Sequence, residues 1–247
     1  MEQIRTHQPV IFVHTQNKQK ALYYFVKRLI DLIVVVLSLI ALLPVMLLIA
    51  FLIKRDSPGS AIFVQKRITA KLKFNGKTYY WEQVPFNIYK FRTMKTDAKA
   101  TSHYEFMQAY ISGDAEALAK IRAKRKIEKS QYKLTNDPRV TRLGKFLRKT
   151  SLDELPQFIN ILKGEMSLVG PRPPIPYEVE MYKSWHHQRL ETPQGITGLW
   201  QVEGRSSTTF DEMVELDIKY IKKQSFWLDI KLLLLTIPAA IIGKGAR

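Results

Sequence analysis

The stretch SLDELP, residues 151–156, places two adjacent carboxylates, Asp153 and Glu154, directly before an apolar run at helical spacing. This pattern predicts a helix over residues 152–162, which Gly164 ends. The surrounding sequence is rich in cations: Arg142, Lys145, Arg148, Lys149 and Arg172. Solubility alone does not explain an acidic pair among so many cations. The arrangement favours a site where an anionic substrate is held while a carboxylate reacts with it.

The acidic pair has two interpretations. Ser151 and Glu154 match a capping box, which accounts for Glu154 and partly for Asp153. Alternatively, the N–H groups at the helix start attract phosphate, and a carboxylate kept ionised there acts as a nucleophile or holds Mg²⁺. Arg148 and Arg172 then neutralise charge on a transferred phosphoryl group. The residues alone leave both interpretations open.

The composition describes a folded, strongly basic protein. The chain has 247 residues, with 39 Lys and Arg against 22 Asp and Glu, which gives a formal net charge of +17. This excess predicts an anionic partner: nucleic acid, a phospholipid surface or a phosphorylated substrate. The sequence has no cysteine, which excludes a disulfide framework and thiolate metal sites. It also has no P-loop motif and no GxGxxG motif, so nucleotide-binding folds of those two types are disfavoured.

Residues 32–53 contain no charged side chain and are long enough to cross a hydrocarbon core as a helix. A single transmembrane helix is the simplest interpretation. However, Pro44 lies near the middle of the run, where proline kinks or breaks a helix. Both flanks are basic, with Lys27, Arg28, Lys54 and Arg55. Because the positive-inside rule holds both flanks on the cytoplasmic side, we expect a re-entrant helix-break-helix that dips into one leaflet and returns.

The chain divides into a polar N-terminal tail over 1–20, a membrane anchor over 21–55 and a folded domain over 56–247. In that domain, residues 61–67 and 77–92 are rich in β-branched and aromatic side chains, which predicts strands. Asn75-Gly76 between them predicts a hairpin turn. Residues 96–133 are polar, charged and rich in alanine, which predicts a solvated helical insertion.

The C-terminal part combines predicted loops and helices. Residues 167–176 (SLVGPRPPIP) predict a proline-rich loop without regular structure, and residues 192–205 (TPQGITGLWQVEGR) predict a second, glycine-rich loop region. An amphipathic helix is predicted over 210–223. The apolar residues over 226–242 are too short to span a bilayer, so they are expected to lie in the interface or to pack on the anchor. On a strand, Lys90 and Arg92 would share one face, either as phosphate ligands or as a solvated edge.

Three stretches carry a family resemblance: KFRTM at 90–94, DPRVTRLGKFLRKTSLDELPQFINILKGEMSLVGPRP at 137–173 and PQGITGLWQVEGR at 193–205. Together they resemble the bacterial sugar transferase family, the monotopic polyprenyl-phosphate phosphoglycosyl transferases. The resemblance extends from residue 27 to residue 238. Motifs of this length and order are highly specific. The insertion over 96–133 lies outside the pattern of the smallest family members.

The resemblance implies an α+β, mainly helical fold in a monotopic membrane protein, with a re-entrant helix broken at Pro44 and a catalytic domain over 56–247. It also implies that Asp153 and Glu154 form a dyad that works with Mg²⁺. Asp153 would attack the β-phosphate of a UDP-sugar and expel UMP, with Glu154 as its acid–base or metal partner. The phosphosugar would then pass to a polyprenol phosphate such as undecaprenyl phosphate, the first membrane step of polysaccharide or glycoconjugate assembly.

The resemblance further implies which residues bind the substrates. Contacts to phosphate or phosphosugar are expected from Lys90, Arg148, Arg172 and Arg205. Asp217 and Asp229 are candidates for a further site acid, and the sequence leaves open which of the two approaches the dyad. The expected partners are a UDP-sugar, polyprenol phosphate, one membrane leaflet with anionic lipids, and a second copy in a homodimer, but no nucleic acid. The expected location is the cytoplasmic face of the bacterial inner membrane.

Two other functions fit part of the sequence. A membrane-anchored polybasic protein that binds anionic lipid or nucleic acid without catalysis accounts for the charge and the anchor, but it leaves the acidic pair as a helix cap. A lipid phosphate hydrolase with the same dyad would release sugar phosphate into solution. The length and order of the motifs favour the transferase.

Overall fold

The structure is a computed structural model that describes residues 11–16, 18–95, 101–125, 139–204 and 208–242. In chain order its elements are β1 (Ile11–Gln16), α1 (Lys18–Asp56), β2 (Ile62–Phe74), β3 (Tyr79–Phe91), α2 (Thr101–Ser112), α3 (Ala115–Arg125), α4 (Arg142–Lys149), α5 (Gln157–Leu162), β4 (Ser167–Val169), α6 (Pro176–Glu180), β5 (Gly195–Thr197), α7 (Leu199–Glu203), α8 (Phe210–Lys223) and α9 (Phe226–Ile242). Two 3-10 turns lie at Leu152–Glu154 and Ser184–Leu190. The fold is therefore α+β and mainly helical, as expected.

Helix α1 contains the predicted membrane segment. Within the described part of the chain, it is the one helix whose length and composition suffice to cross a membrane. Pro44 lies inside α1, which continues to Asp56, so the predicted break at Pro44 is not observed. The physical reason is that proline removes one backbone hydrogen bond, a loss that an apolar helix of 39 residues tolerates.

Helix α1 has one packed face and one exposed face. The packed face carries buried residues at helical spacing: Tyr24, Lys27, Asp31, Val35, Ile49 and Ile53. The exposed face carries large apolar side chains, among them Leu22, Phe25, Leu29, Ile33, Leu37, Ile40, Leu47 and Phe51. An exposed apolar stripe of this length is compatible with a surface that lies against lipid.

Both ends of α1 pack against the same folded domain. Near the N-terminal end, Lys27 Nζ lies 2.7 Å from Asp229 Oδ2 of α9. Arg28 donates hydrogen bonds to two carbonyl groups at the C-terminal end of α5. Near the C-terminal end of α1, Ile49 and Ile53 pack in an apolar cluster with side chains of β3 and α4. The domain therefore contacts the anchor on both sides of its exposed central part.

Strands β2 and β3 form the predicted hairpin, and both are longer than predicted. They pair antiparallel along their whole length. In the turn, Asn75 Oδ1 accepts hydrogen bonds of 3.0 and 2.8 Å from the two N–H groups that follow Gly76, which has a φ of +89°. Strand β1 pairs with the other edge of β3, so the sheet order is β1-β3-β2. The segment predicted as a polar tail thus contributes a strand, because its backbone can pair there whatever its side chains.

Near the dyad, the side chain of Asn160 forms hydrogen bonds with the free edge of β3. The buried amide of Asn160, on α5, accepts a hydrogen bond from Tyr89 N–H (3.0 Å) and donates one to the Asn87 carbonyl (2.7 Å). It pairs with β3 as a neighbouring strand would. Glu165 Oε2 accepts a further 2.7 Å bond from the same amide. Helix α5 and the turn before it are thereby fixed against the hairpin.

The two segments predicted as irregular loops contain a small parallel sheet formed by β4 and β5. The strands approach so closely that a Cβ on Gly195 would lie 2.1 Å from Gly170 N. Only glycine fits such a contact between two backbones. The loop prediction was wrong here because glycines that indicate turns in a sequence also permit close packing.

The insertion over 96–133 is helical in its described part, as predicted, but α2 is not a solvated helix. Phe106, Met107, Tyr110 and Ile111 are buried against α8. The Tyr110 hydroxyl also donates a 2.8 Å hydrogen bond to the Thr208 carbonyl. Helix α2 is therefore part of the core, and α3 is the more exposed half of the pair.

Helices α8 and α9 have the bounds that the sequence predicts, and α9 packs on the anchor. Asp229 is the centre of that contact, since it accepts hydrogen bonds from Tyr23 (2.8 Å), Lys27 (2.7 Å) and Tyr220 (2.7 Å). Its side chain is 12% exposed and that of Lys27 is 5% exposed. A buried carboxylate needs such partners, because burial without them is costly. The network joins the anchor to the last two helices.

We expect Lys27→Met to destabilise the protein, because it leaves the Asp229 carboxylate buried without its cation. The free energy of unfolding should fall by about 3–5 kcal/mol, measured by denaturant titration in detergent. Lys73→Met is the control, since Lys73 is half exposed and lies 3.7 Å from Glu82; its effect should stay within about 0.5 kcal/mol. Equal stability of the two variants would contradict a structural role for the buried pair.

Candidate active site

The two carboxylates lie on the 3-10 turn Leu152–Glu154 and not in the first turn of an α-helix. Ser151 precedes the turn in the left-handed conformation, with a φ of 56°, and its side chain makes no capping hydrogen bond. A capping box needs an extended residue at the cap, so the capping-box interpretation is wrong. Helix α5 begins only after Pro156. It ends, as predicted, before Gly164, whose φ is +73°.

Glu154 is held by two cations from distant parts of the sequence. Lys90 Nζ, on β3, lies 2.7 Å from Glu154 Oε1, and Arg172 Nη1, in the loop after β4, lies 3.5 Å from the same oxygen. The three side chains are 14%, 16% and 22% exposed for Lys90, Glu154 and Arg172. Solvent therefore screens these contacts less than it screens surface pairs. The structure thus brings together three residues that the sequence predicts to belong to the site.

Asp153 is partly exposed on the same turn. Leu152 and Leu155, on either side of the dyad, pack against the cluster that contains Ile49 and Ile53 of α1. The turn is therefore attached to the C-terminal half of the anchor helix. Asp153 precedes Glu154 on a turn whose leucines pack on α1, and it is not sealed in the interior.

A narrow crevice lies between the hairpin and the loop after β4. Its lining residues are Arg67, Ile88, Lys90, Gln157, Arg172, Pro173, Gly195 and Ile196. Lys90 and Arg172, the two cations on Glu154, thus also line the crevice. Arg67 is not among the site residues predicted from the sequence. The pairing of the two strands could have indicated it. Arg67 is opposite Phe86, and Lys90 is opposite Phe63. Because alternate residues of a strand share a face, Arg67 and Lys90 lie on the same face of the hairpin.

Arg148 lies at the end of α4, where its Nε donates a 2.9 Å hydrogen bond to Thr93 Oγ1. Gly144 allows α4 to approach this segment, because a Cβ there would lie 2.2 Å from the Thr93 carbonyl oxygen. Helix α4 packs against the dyad turn, so Arg148 is placed beside the turn as expected. Arg205 lies outside the described residues.

Asp217 and Asp229 form ion pairs away from the dyad. Asp217 Oδ2, on α8, lies 2.6 Å from Arg189 Nη2. Burial raises the pKa of the Asp217 carboxyl to about 6, and the charge of Arg189 opposes this shift. Asp229 belongs to the network with Lys27 of the anchor. The contacts of these two acids do not support the expectation that either one joins the dyad.

The dyad offers oxygen ligands of the kind that Mg²⁺ prefers. The part of the chain that the structure describes has no group of three or more His, Asp or Glu side chains that could hold a metal ion. Proteins commonly bind Mg²⁺ through one or two carboxylates together with substrate phosphates. Asp153 and Glu154 therefore fit a metal ion that is held jointly by the protein and a phosphorylated substrate.

Comparison with known proteins identifies relatives along almost the whole chain. Residues 22–243 match the family model described as bacterial sugar transferase. Galactosyl transferase CpsE of Streptococcus agalactiae is 38% identical over 238 residues, which cover 96% of this chain and 47% of CpsE. Exopolysaccharide production protein ExoY of Sinorhizobium fredii is 37% identical over 220 residues, which cover 89% of this chain and 87% of ExoY. Undecaprenyl-phosphate galactose phosphotransferase of Salmonella typhimurium is 35% identical over 246 residues, which cover 100% of this chain and 47% of that protein.

The chain spans less than half the length of CpsE and of the Salmonella typhimurium protein, but most of ExoY. The dyad turn, Lys90, Arg172 and the crevice all lie within the matched residues 22–243. Since the family model covers nearly the whole chain and ExoY is similar along most of its own length, the chain belongs to the bacterial sugar transferase family.

Proposed function

We propose that this protein transfers a sugar-1-phosphate from a UDP-sugar to a membrane polyprenol phosphate, of the undecaprenyl type, and releases UMP. The dyad turn carries the proposal. It presents Asp153 next to Glu154, which Lys90 and Arg172 hold, and it packs against the anchor helix. One place thus combines a carboxylate, cations that suit phosphate, and an apolar surface that suits a lipid.

The names of the relatives support this chemistry. The Salmonella typhimurium relative is named an undecaprenyl-phosphate galactose phosphotransferase, and ExoY is named for exopolysaccharide production. We therefore place the reaction at the start of polysaccharide or glycoconjugate assembly on a lipid carrier. The non-catalytic polybasic protein has less support, because Lys90 and Arg172 lie on the dyad and the capping role of the acids is absent.

In the first proposed step, the Asp153 carboxylate attacks the β-phosphorus of the UDP-sugar. The bond from this phosphorus to the bridging oxygen breaks, and the oxygen leaves with the bonding electrons as part of UMP. An aspartyl phosphosugar is formed. Lys90 and Arg172 neutralise the negative charge of the transferred phosphoryl group, which matters more in such reactions than covalent assistance.

In the second proposed step, a phosphate oxygen of the polyprenol phosphate attacks the same phosphorus. The bond to Asp153 breaks, the carboxylate is restored, and polyprenol diphosphosugar is the product. Glu154 is the acid–base or metal partner of Asp153. Because the dyad turn packs on α1, the membrane acceptor can reach Asp153 from the side of the anchor. One site then serves a soluble donor and a lipid acceptor in turn, which gives ping-pong kinetics.

Mg²⁺ is part of the proposal. Asp153 and Glu154 would hold the ion together with phosphate oxygens of the donor, as two carboxylates commonly do. Bound there, it would supply positive charge to the diphosphate and to the leaving UMP.

We also propose that α1 is re-entrant in the cytoplasmic leaflet of the bacterial inner membrane. The rise from Asp31 to Ile49 is about 27 Å for a helix, close to the roughly 30 Å of a bilayer core. A straight span would place these two residues on opposite sides of the membrane, yet both are buried against one folded domain. The basic flanks agree with this topology. We place the bend that returns the chain at Pro44, because a helix that continues through proline can still kink there.

Asp153→Asn should abolish UMP release from UDP-sugars, because an amide cannot form the acyl phosphate. With UDP-galactose, UDP-glucose and UDP-N-acetylhexosamines as donors, the rate should fall on the order of 10⁴-fold or more, a loss typical of a removed nucleophile. Asp114→Asn is the matched control: Asp114 is exposed and caps α3 through Ala117 N–H (2.9 Å), a bond that asparagine can also accept. Normal turnover of the Asp153→Asn protein would refute the proposed chemistry.

Single introduced cysteines test the topology, because the chain has none of its own. Lys20→Cys and Asp56→Cys lie at the two ends of α1, and Lys120→Cys on exposed α3 reports the side of the domain. A membrane-impermeant maleimide should label all three in inverted vesicles and none in spheroplasts. Labelling of the two helix ends from opposite sides would show that α1 spans the bilayer.

A further inference from the structure

We propose that Arg67 is a positioning residue of the donor site, which holds the loop that carries Arg172 and adds a third positive charge beside the donor diphosphate. The inference rests on the transfer reaction proposed above. It concerns a residue that neither the acidic motif nor its neighbouring cations would indicate, since Arg67 lies on β2, far from both in the sequence.

The guanidinium of Arg67 is fixed on two sides. Nη1 donates a 2.9 Å hydrogen bond to the Pro173 carbonyl, while Nε and Nη2 donate bonds of 3.2 and 2.7 Å to Gln65 Oε1. The next residue, Ile68, donates its backbone N–H to the Pro174 carbonyl at 2.9 Å. Two bonds therefore attach the loop after β4 to strand β2, and one of them comes from the Arg67 side chain.

These bonds hold the backbone at Pro173 and Pro174, which directly follow Arg172. Pro171, Pro173 and Pro174 surround Arg172, and each proline ring fixes its own φ. A stiff backbone held at Pro173 leaves Arg172 few directions in which to point. Because Arg172 reaches Glu154 at 3.5 Å, loss of the Arg67 bond would misplace a cation at the dyad.

Arg67 also contributes charge to the crevice. The hairpin places it on the same face as Lys90, and both side chains line the crevice with Arg172. Three cations from β2, β3 and the loop thus line one crevice, and two of them, Lys90 and Arg172, contact Glu154. This excess of positive charge suits a diphosphate, whose oxygens accept charge-assisted hydrogen bonds from arginine and lysine.

The crevice has no room for a water molecule, so we place the donor diphosphate at its opening and not inside it. Its lining residues come from the hairpin, α5, the loop after β4 and β5, and none of them belongs to α1 or α9. The dyad turn meets the anchor through Leu152 and Leu155 instead. We therefore place the UDP-sugar on the side of Arg67 and the polyprenol phosphate on the side of α1.

The experiment compares Arg67→Gln with Lys66→Gln. Lys66 is the adjacent residue on the opposite face of β2 and is exposed, so both variants lose one charge from the same strand. We expect Arg67→Gln to raise the KM for the UDP-sugar about 10- to 100-fold, the scale of a lost charged hydrogen bond. The KM for polyprenol phosphate should change less than about twofold, and Lys66→Gln should change neither.

Two more variants separate positioning from charge and from folding. Arg67→Lys keeps the charge but loses the guanidinium that binds Pro173 and Gln65. The logarithm of the donor KM should therefore rise by more than half as much as it does in Arg67→Gln. Gln65→Met removes an anchor of Arg67 and leaves every charge in place; we expect a donor KM raised about threefold or more. Full recovery with lysine, or an unchanged donor KM in Gln65→Met, would contradict positioning.

UMP release by the unaltered protein, with UDP-sugar, Mg²⁺ and polyprenol phosphate all present, distinguishes the two proposals. If it fails, the transfer reaction itself is wrong. If it succeeds while folded Arg67→Gln keeps its donor KM, or loses donor and acceptor affinity equally, only the role of Arg67 is wrong. Thermal midpoints of all variants, measured in the same detergent, show which of them are folded.

Discussion

The contact between Lys90 and Glu154 is the constraint on which the geometry of the site depends. At 2.7 Å it joins the hairpin to the turn that carries Asp153. Pairing with β2 and the Asn160 amide hold β3, and two leucines hold the turn against α1. A surface ion pair contributes little to stability. Between two elements that are already fixed, however, this pair determines where the dyad lies relative to the hairpin.

The site lies where two kinds of surface meet. On one side is the apolar anchor, attached to the dyad turn through Leu152 and Leu155. On the other side is the basic crevice, which the loop after β4 completes. That loop can pass so near to β5 because Gly170 and Gly195 have no side chain to separate the backbones. A water-soluble anion and a lipid-linked anion can therefore approach one carboxylate from different directions, which is what transfer between them requires.

The features that the sequence predicted well are those encoded by neighbouring residues, in a short motif or in a continuous run. The hairpin follows from β-branched runs around Asn75-Gly76. The residue types within short motifs selected Lys90, Glu154 and Arg172, which the structure brings into contact. The capping box was wrong because Ser151 is left-handed, and the β4–β5 pair was missed because its glycines also indicate turns. The roles of α2 and Arg67 depend on contacts across long sequence separations, which periodicity does not show. The break predicted at Pro44 is absent because the long apolar helix tolerates the loss of one backbone hydrogen bond.

The most direct measurement is the mass of the protein after brief exposure to a UDP-sugar and Mg²⁺ without any lipid acceptor. The account predicts that the intact mass increases by one sugar phosphate, that fragmentation assigns the adduct to Asp153, and that polyprenol phosphate removes it. Release of UMP without any adduct, or an adduct on another residue, would contradict the account.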